Sequence, residues 1–321
     1  MNNIASVVMT VFNREKIVAH SIKSVLSQSE KNFELIIVEN GSTDNSLEVV
    51  KKYEKIDNRI KVIELKKNVG PAEGRNIGVK NTNSNLIFML DSDDLMLPDA
   101  LYHQKKFINS NPEAAVVGCL AEYSNTKGEV FGKSSSSFYT KNDLDVLIKN
   151  NKNIGIIFSG IFFKKDIFNK LGGFDKKHPY AEDLNLWHKF VENDYVILVQ
   201  KKILVQYRIH ENSTINKEFV DTQHYADWLK ECRIIKRENH KKKTFEEYLN
   251  NFNSKNIFFR IYKLREIYAK KNLRELLLNK FSRNYVGIFK NLISLLLLSP
   301  SLSFKTFLRL VDYIRDKTQY K

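Results

Sequence analysis

Three aspartates within four residues are the clearest chemical signal in the sequence. Asp91, Asp93 and Asp94 directly follow the apolar residues 86–90. Carboxylates this close repel one another unless a cation or hydrogen-bond donors hold them. Hard divalent cations such as Mg2+ and Mn2+ prefer oxygen ligands and often combine one or two carboxylates with substrate phosphates. The cluster therefore indicates a metal-assisted phosphate site, with an acidic turn that caps the next helix as the plainer alternative.

The segments before this cluster alternate between apolar runs and helical patterns. A helix is predicted over about residues 14–28, because its apolar residues recur at helical spacing. The runs are apolar throughout, as in strands that are covered on both faces. They cover residues 4–11, 33–38, 60–65 and 86–90. This order predicts an α/β fold with a parallel sheet, in which ligands bind at the carboxyl ends of the strands.

The rest of the chain falls into two parts. Strands are predicted over residues 115–124, 154–163 and 196–208, and a helix over 183–193. From about residue 218 the pattern is helical, with no convincing strand. We therefore place a boundary near residue 216.

Five motifs between residues 6 and 94 occur in the order and at the spacing of a known family. They are SVVMTVFNR (6–14), SVLSQ (24–28), FELIIVENGSTD (33–44), GRNIG (74–78) and LDSDD (90–94). Together they resemble the nucleotide-binding half of the family 2 glycosyltransferases, which are inverting enzymes with the GT-A fold. The resemblance implies a GT-A catalytic domain over residues 1–215, with a nucleotide-binding half (1–97) and an acceptor half (98–215). A basic α-helical region, 216–321, would follow it.

The resemblance implies that several residues at strand ends bind the nucleotide. Thr10, Phe12 and Asn13 would pack on the base and ribose, although core packing is an equal alternative for Phe12. Glu39 stands where the family usually carries an aspartate that accepts a hydrogen bond from the N3–H of uracil. Arg75 would lie near the base and diphosphate, with a salt bridge as its alternative.

The same resemblance assigns the acid cluster. Asp91, with Ser92, would contact the ribose or donor sugar, and Asp93 would bind Mn2+ or Mg2+. His210 would complete the metal shell or contact the diphosphate, unless it is structural. The metal would bridge the diphosphate and neutralise charge as it departs.

A second acidic pair resembles the acceptor motif of the family. Glu182 and Asp183 open a predicted helix, where the first turn stabilises a carboxylate as the anion. Asp183 would then be the general base that takes the acceptor's proton, and Glu182 would position the acceptor. Trp187, one turn later, would stack on an acceptor sugar or belong to the core. A helix cap is the alternative for the acidic pair.

Charge and composition constrain partners and location. Residues 216–321 hold 23 basic and 11 acidic residues, and their aromatic and aliphatic residues suit amphipathic helices broken at Pro300. Such helices predict peripheral contact with an anionic membrane or packing on the catalytic domain or a second copy, as in a homodimer. The N-terminus shows no signal peptide pattern, which predicts a cytoplasmic protein at the inner face of the membrane. Two cysteines exclude a disulfide framework, and 42% hydrophobic residues exclude a disordered chain.

The resemblance thus implies a metal-dependent, inverting hexosyl- or N-acetylhexosaminyltransferase that uses a UDP-sugar. Its acceptor would be a glycan or lipid in bacterial surface polysaccharide or lipooligosaccharide synthesis. Two other functions stay open. A phosphatase of the haloacid dehalogenase class would use Asp91 and Asp93 as nucleophile and acid. A non-catalytic nucleic-acid binder would rest on charge alone, since no nucleic-acid-binding signature stands out.

Overall fold

The structure is a computed structural model of the 321-residue chain. It describes residues 4–177, 181–209, 219–237, 244–281 and 285–299.

The first four strands form the parallel sheet that the sequence predicts. They are β1 (Ala5–Val11), β2 (Phe33–Glu39), β3 (Ile60–Glu64) and β4 (Leu86–Met89). β1 lies between β2 and β4, and β3 pairs with β2, all in parallel register. The helices between them are α1 (Val18–Leu26), α2 (Ser46–Ile56) and α3 (Pro71–Lys80).

Helix α1 begins four residues later than the apolar spacing predicts. The backbone N–H of Arg14 donates to Ser46 Oγ at 2.7 Å, and that of Glu15 donates to Asp44 Oδ2 at 3.1 Å. These bonds hold the end of the β1 loop against the start of α2. The sequence pattern could not show this, because the partners lie about 30 residues away.

Residues 95–208 extend the sheet with mostly antiparallel pairs. The elements of this segment are β5 (Leu95–Met96), α4 (Ala100–Ser110), β6 (Ala114–Ser124), β7 (Val130–Lys133), α5 (Lys141–Lys149), β8 (Phe162–Lys164), α6 (Lys165–Lys170), α7 (Glu182–Glu192) and β9 (Val196–Arg208). The strand order is β3-β2-β1-β4-β8-β6-β9-β5, and β7 pairs with β6. β8 runs antiparallel to both neighbours, whereas β6 and β9 are parallel. The prediction of a mostly parallel α/β sheet with flanking helices is confirmed.

The predicted strand over residues 154–163 is wrong for most of its length. Only residues 162–164 form a strand, β8. Gly160 has a φ of 96°, and a Cβ at this position would lie 2.5 Å from Cys119 Sγ. This backbone turn ends the extended geometry and sends residues 154–159 toward the carboxyl end of β4.

Two apolar clusters cover the two sides of the sheet. Alternate residues of β1 point to opposite clusters: Val7 and Met9 join one, and Val8 joins the other. Helix α3 approaches the sheet closely at Gly78, where a Cβ would lie 2.5 Å from Val8 Cγ1. A glycine at this position therefore lets α3 pack directly against β1.

The C-terminal helical extension is present as four described helices. They are α8 (Phe219–Arg237), α9 (Phe245–Ser254), α10 (Ile257–Phe281) and α11 (Tyr285–Leu298). Tertiary contacts divide the chain into two units, one of residues 1–213 and 229–240, the other of residues 214–228 and 241–321. None of the described helices is long and apolar enough to cross a membrane.

Candidate active site

The parallel register brings the predicted donor-binding residues to one edge of the sheet. Val11 pairs with Glu39 at the ends of β1 and β2, and Val8 pairs with Met89 on β4. Thr10, Phe12 and the acid cluster therefore share this edge. Parallel strands present their carboxyl ends together, so one ligand can contact several loops at once.

The loop after β1 exposes an aromatic ring beside a fixed turn. Phe12 is 37% exposed, so it is not a core residue, and its ring is available to a base. Asn13 adopts a left-handed conformation, with φ 53°. Its Oδ1 accepts from Thr43 N–H at 2.8 Å, and its own N–H donates to Ser42 Oγ at 3.0 Å. These bonds tie the β1 loop to the β2 loop.

Glu39 is buried and holds the loop that follows it. Its carboxylate accepts from the backbone N–H of Gly41 at 3.2 Å and from that of Ser42 at 2.9 Å. A bond from uracil N3–H would have to use a remaining lone pair of the same group. Nearby, Thr10 Oγ1 is buried without a hydrogen-bond partner among the described residues.

The three aspartates converge as the sequence predicts. One carboxylate oxygen from each of Asp91, Asp93 and Asp94 lies within 4.8 Å of the others. Asp93 pairs with Arg14 Nη2 at 3.3 Å. Between them, Ser92 is buried, and its carbonyl accepts from Ser21 Oγ at 2.8 Å. Ser92 therefore has little exposed surface with which to contact a donor sugar.

The buried carboxylate of Asp94 binds two other segments of the chain. It accepts from the backbone N–H of Arg208 at 2.9 Å and from the hydroxyl of Ser159. Burial raises the pKa of Asp94 well above its usual value, and the carboxylates of Asp93 and Asp91 raise it further. The same Ser159 hydroxyl accepts from Asp91 N–H at 3.1 Å. One serine thus fixes both ends of the acid cluster.

Arg208 supports the cluster from the end of β9. Its Nε donates to the Asp93 carbonyl, and its Nη2 donates to Ser21 Oγ at 2.7 Å. Burial lowers the pKa of the Arg208 guanidinium. Sequence reasoning missed Ser159 and Arg208, although an arginine at the end of a predicted strand was a usable signal.

Arg75 links the donor edge to helix α7. Its Nη2 lies 2.9 Å from Asp91 Oδ1, and its Nη1 pairs with Glu182. The guanidinium carbon lies 3.9 Å from the ring centre of Phe158. Asp91 and Glu182 raise the pKa of Arg75 despite its burial. The salt-bridge alternative is thus observed, and it joins two carboxylates that are 91 residues apart in the chain.

Helix α7 presents Asp183 at its first turn. Ala181 caps the helix in a left-handed conformation, with φ 51° and ψ 47°. Asp183 Oδ1 accepts from Leu184 N–H at 2.7 Å. Burial raises the pKa of Asp183 to about 6, and repulsion from Glu182 adds to the shift. This carboxylate can accept a proton near neutral pH.

The segment before α7 is fixed by helix α3. Asn76 Nδ2 donates to the Phe174 carbonyl at 2.9 Å, and Asn76 Oδ1 accepts from Phe174 N–H at 3.0 Å. Gly173, with φ 65°, would bring a Cβ within 2.7 Å of Asn76 Oδ1. Gly173 and Phe174 thus serve close packing against α3.

The structure corrects the acceptor role suggested for Trp187. Its side chain is 1% exposed and packs in the core with Phe190, at 6.3 Å between ring centres. Trp187 lies one turn along α7 from Asp183, on the side of the helix that faces the sheet. Its ring therefore offers no face to a sugar. Trp187 is therefore a core residue. His210, which was predicted to complete the metal shell or to contact the diphosphate, lies outside the described residues.

Ser159 gives the first testable prediction. We expect Ser159→Ala to lower the free energy of unfolding by about 1–3 kcal/mol, because it removes the hydroxyl partner of buried Asp94 and of Asp91 N–H. Chemical denaturation measures this change. The exposed Ser135→Ala is the matched control and should stay within about 0.5 kcal/mol. Equal stabilities for both variants would show that the Ser159 hydroxyl does not hold the acid cluster.

A protein-family model matches this part of the chain. The model described as "Glycosyl transferase family 2" covers residues 6–172, which is more than half of the chain. The match includes all strands from β1 to β8, the acid cluster and Arg75.

One relative by sequence and two solved structures resemble the chain. The minor teichoic acid biosynthesis protein GgaA of Bacillus subtilis (strain 168) is 26% identical over 235 residues, covering 71% of this chain and 52% of GgaA. The chain thus spans about half of that relative. The crystal structure of S. aureus TarS 1-349 in complex with UDP-GlcNAc superposes with a TM-score of 0.60 at 20% identity, covering 92% of this chain and 90% of TarS 1-349. The mannosyltransferase PcManGT from Pyrobaculum calidifontis, in complex with GDP-Man and Mn2+, gives 0.54 at 15% identity, with 72% and 64% covered.

Proposed function

The chain belongs to glycosyl transferase family 2, and from this premise we propose that it transfers a sugar from a UDP-sugar to a hydroxyl group with inversion at the anomeric carbon. The observation that carries the proposal is the Arg75 bridge. It connects Asp91, at the donor edge, to Glu182, beside the candidate base Asp183. Donor and base then act at one site. Family membership also removes the support for a phosphatase or a nucleic-acid binder.

The transfer needs one proton acceptor and one leaving group. Asp183 takes the proton of the acceptor hydroxyl as its oxygen attacks the anomeric carbon. The bond from that carbon to the diphosphate oxygen breaks, and the nucleoside diphosphate leaves from the opposite face. Glu182, held by Arg75, positions the acceptor. Phe12 packs on the base beside Thr10 and Asn13, and Glu39 fixes the loop below it.

The acid cluster fits a divalent cation. Its donor set is made only of carboxylate oxygens, which Mn2+ and Mg2+ prefer, and three of them lie within 4.8 Å of one another. Asp93 and Asp91 would hold the ion, because their side chains are partly exposed, whereas Asp94 is buried and engaged by Ser159 and Arg208. When bound, the ion would neutralise charge on the departing diphosphate.

The comparisons favour a hexose or N-acetylhexosamine donor and a surface-glycan setting. TarS was solved with UDP-GlcNAc, and GgaA is named for teichoic acid biosynthesis. We propose an acceptor in a bacterial surface polysaccharide or lipooligosaccharide pathway. We further propose that the protein works at the inner face of the cell membrane, with its C-terminal helices in peripheral contact. A homodimer is the competing use of these helices.

Nucleotide-dependent thermal stabilisation tests the donor class. We expect UDP with Mn2+ to raise the melting temperature more than either alone, and UDP to exceed GDP. Slow hydrolysis of UDP-sugars, measured as released UDP, would then identify the sugar. Stabilisation by an oligonucleotide alone, or phosphate release from simple phosphomonoesters, would overturn the proposal.

A further inference from the structure

Helices α10 and α11 form an antiparallel pair held by a polar cluster. Asn291 is buried, donates to Asn272 and Glu275 at 3.0 Å each, and accepts from Asn279 at 2.8 Å. Near the C-terminal end of α11, Arg265 Nη2 donates to the Leu297 carbonyl at 2.8 Å. These bonds fix which side of α11 faces α10.

The opposite side of α11 is an exposed apolar stripe. Asn291 and Leu295 face inward and are buried. The stripe is formed by large side chains that repeat at three- and four-residue spacing and so share one face. They are Val286, Phe289, Ile293, Leu296 and Leu297, exposed by 44 to 81%. Exposed apolar patches of this kind mark interaction surfaces.

The first two turns of α10 also expose aromatic side chains. Among them are Phe258 and Tyr262, which are 77% and 58% exposed. Arg265, the ninth residue of α10, bonds to the last turn of α11 through the Leu297 carbonyl. We call the α11 stripe together with Phe258 and Tyr262 the apolar face. Aromatic side chains are favoured where an apolar environment meets water.

Basic residues accompany the apolar face. Residues 257–298 contain nine Lys and Arg and only two Glu. Lys290, next to the stripe on α11, is exposed, and so are Arg265 and Lys270 on α10. Aromatic and aliphatic residues combined with an excess of Lys and Arg are typical of helices that lie in a membrane interface and are attracted to anionic lipid.

We propose that the apolar face binds the surface of an anionic lipid bilayer. The α11 stripe inserts among the headgroups, while Arg265 and Lys290 meet the lipid phosphates. A second copy of the chain fits less well, because an interface between two identical faces would bring their cationic residues together. The inference rests on the proposed function, because lipid binding would give the enzyme access to a lipid-linked acceptor. Lipid binding itself can be measured without any sugar donor.

Vesicle flotation of the full chain tests the proposal. The wild type should float with phosphatidylglycerol-containing vesicles and much less with pure phosphatidylcholine. Phe289→Glu should weaken partition into the vesicles at least about tenfold, because an exposed apolar side chain that would enter the lipid becomes a negative charge that anionic lipid repels. Lys290→Glu should weaken binding to the anionic vesicles alone.

A matched control separates this face from general surface charge. Ile56→Glu changes an apolar residue of α2 that is 69% exposed, close to the 67% of Phe289, and should float as the wild type does. UDP-sugar hydrolysis without vesicles should be equal in all variants, which verifies folding. Unchanged flotation of Phe289→Glu, or no flotation of the wild type, would overturn the proposal. A wild-type dimer that Phe289→Glu dissociates, with no vesicle binding, would assign the face to self-association. If the wild type did not bind UDP, that result would contradict the proposed function and not the proposal of lipid binding.

Discussion

Asp183→Asn is expected to abolish sugar transfer while UDP-sugar binding persists. The asparagine keeps the size and the hydrogen bond from Leu184 N–H but cannot accept the proton of the acceptor hydroxyl. A positioned general base contributes about 10^2–10^4 in rate, so kcat should fall by at least about a hundredfold. Product formation and calorimetric titration with UDP measure the two effects separately.

The pH dependence provides a second readout of the same residue. Because burial raises the pKa of Asp183 to about 6, a growing fraction of the carboxyl is protonated as the pH falls below 6. Transfer measured as kcat/KM for the acceptor should therefore decline on the acid side of pH 6, and the residual activity of Asp183→Asn should lack this limb. The control is Asp194→Asn, an exposed position just after α7. A flat wild-type profile down to pH 5 would remove Asp183 from the base role.

Local signals in the sequence predicted the parts of the site that lie on single segments. The apolar run before Asp91 predicted a buried strand, and the chemistry of adjacent carboxylates predicted their convergence at its end. Family motifs supplied the order of the nucleotide-binding half. These features depend on neighbouring residues, which a linear pattern records.

The parts that the sequence could not supply depend on contacts between distant segments. Ser159 reaches both Asp91 and Asp94 only because the Gly160 turn interrupts a run that had been predicted as a strand. Trp187 has an amphipathic side chain suited to either a sugar or a core. Only the rotation of α7 against the sheet decides between them, and it buries the ring.

Arg75 shows how the two halves of the site are coupled. Its guanidinium is held over Phe158 and pairs with Asp91 and Glu182 on either side. Arg75 is largely buried, and it fixes its two carboxylate partners more firmly than a flexible lysine would, because its planar fork binds two acceptors at once. The bridge therefore sets the distance between the donor edge and the helix that carries Asp183.

Removal of Asp93 is expected to have the other large effect. Asp93→Ala should abolish the Mn2+ dependence of UDP binding and lower the rate of transfer by at least about a hundredfold. The reason is that a metal ion beside the departing diphosphate stabilises its developing negative charge by several kcal/mol. Asp94 cannot replace the lost ligand, since its oxygens already accept from Ser159 and from Arg208 N–H. Isothermal titration of UDP with and without Mn2+ measures the change.

The variant should remain folded, which makes the result interpretable. The hydrogen bond from Arg208 Nε goes to the Asp93 backbone carbonyl, so it survives the substitution. The ion pair with Arg14 is lost, but Arg14 Nη1 also donates to the backbone carbonyls of Phe12 and Asn13, so the guanidinium keeps hydrogen-bond partners. Asp145→Ala, at an exposed site on α5, is the control and should titrate as the wild type does. If Asp93→Ala kept the wild-type Mn2+ response, the cation would have to bind elsewhere, and the acid cluster would be a structural turn.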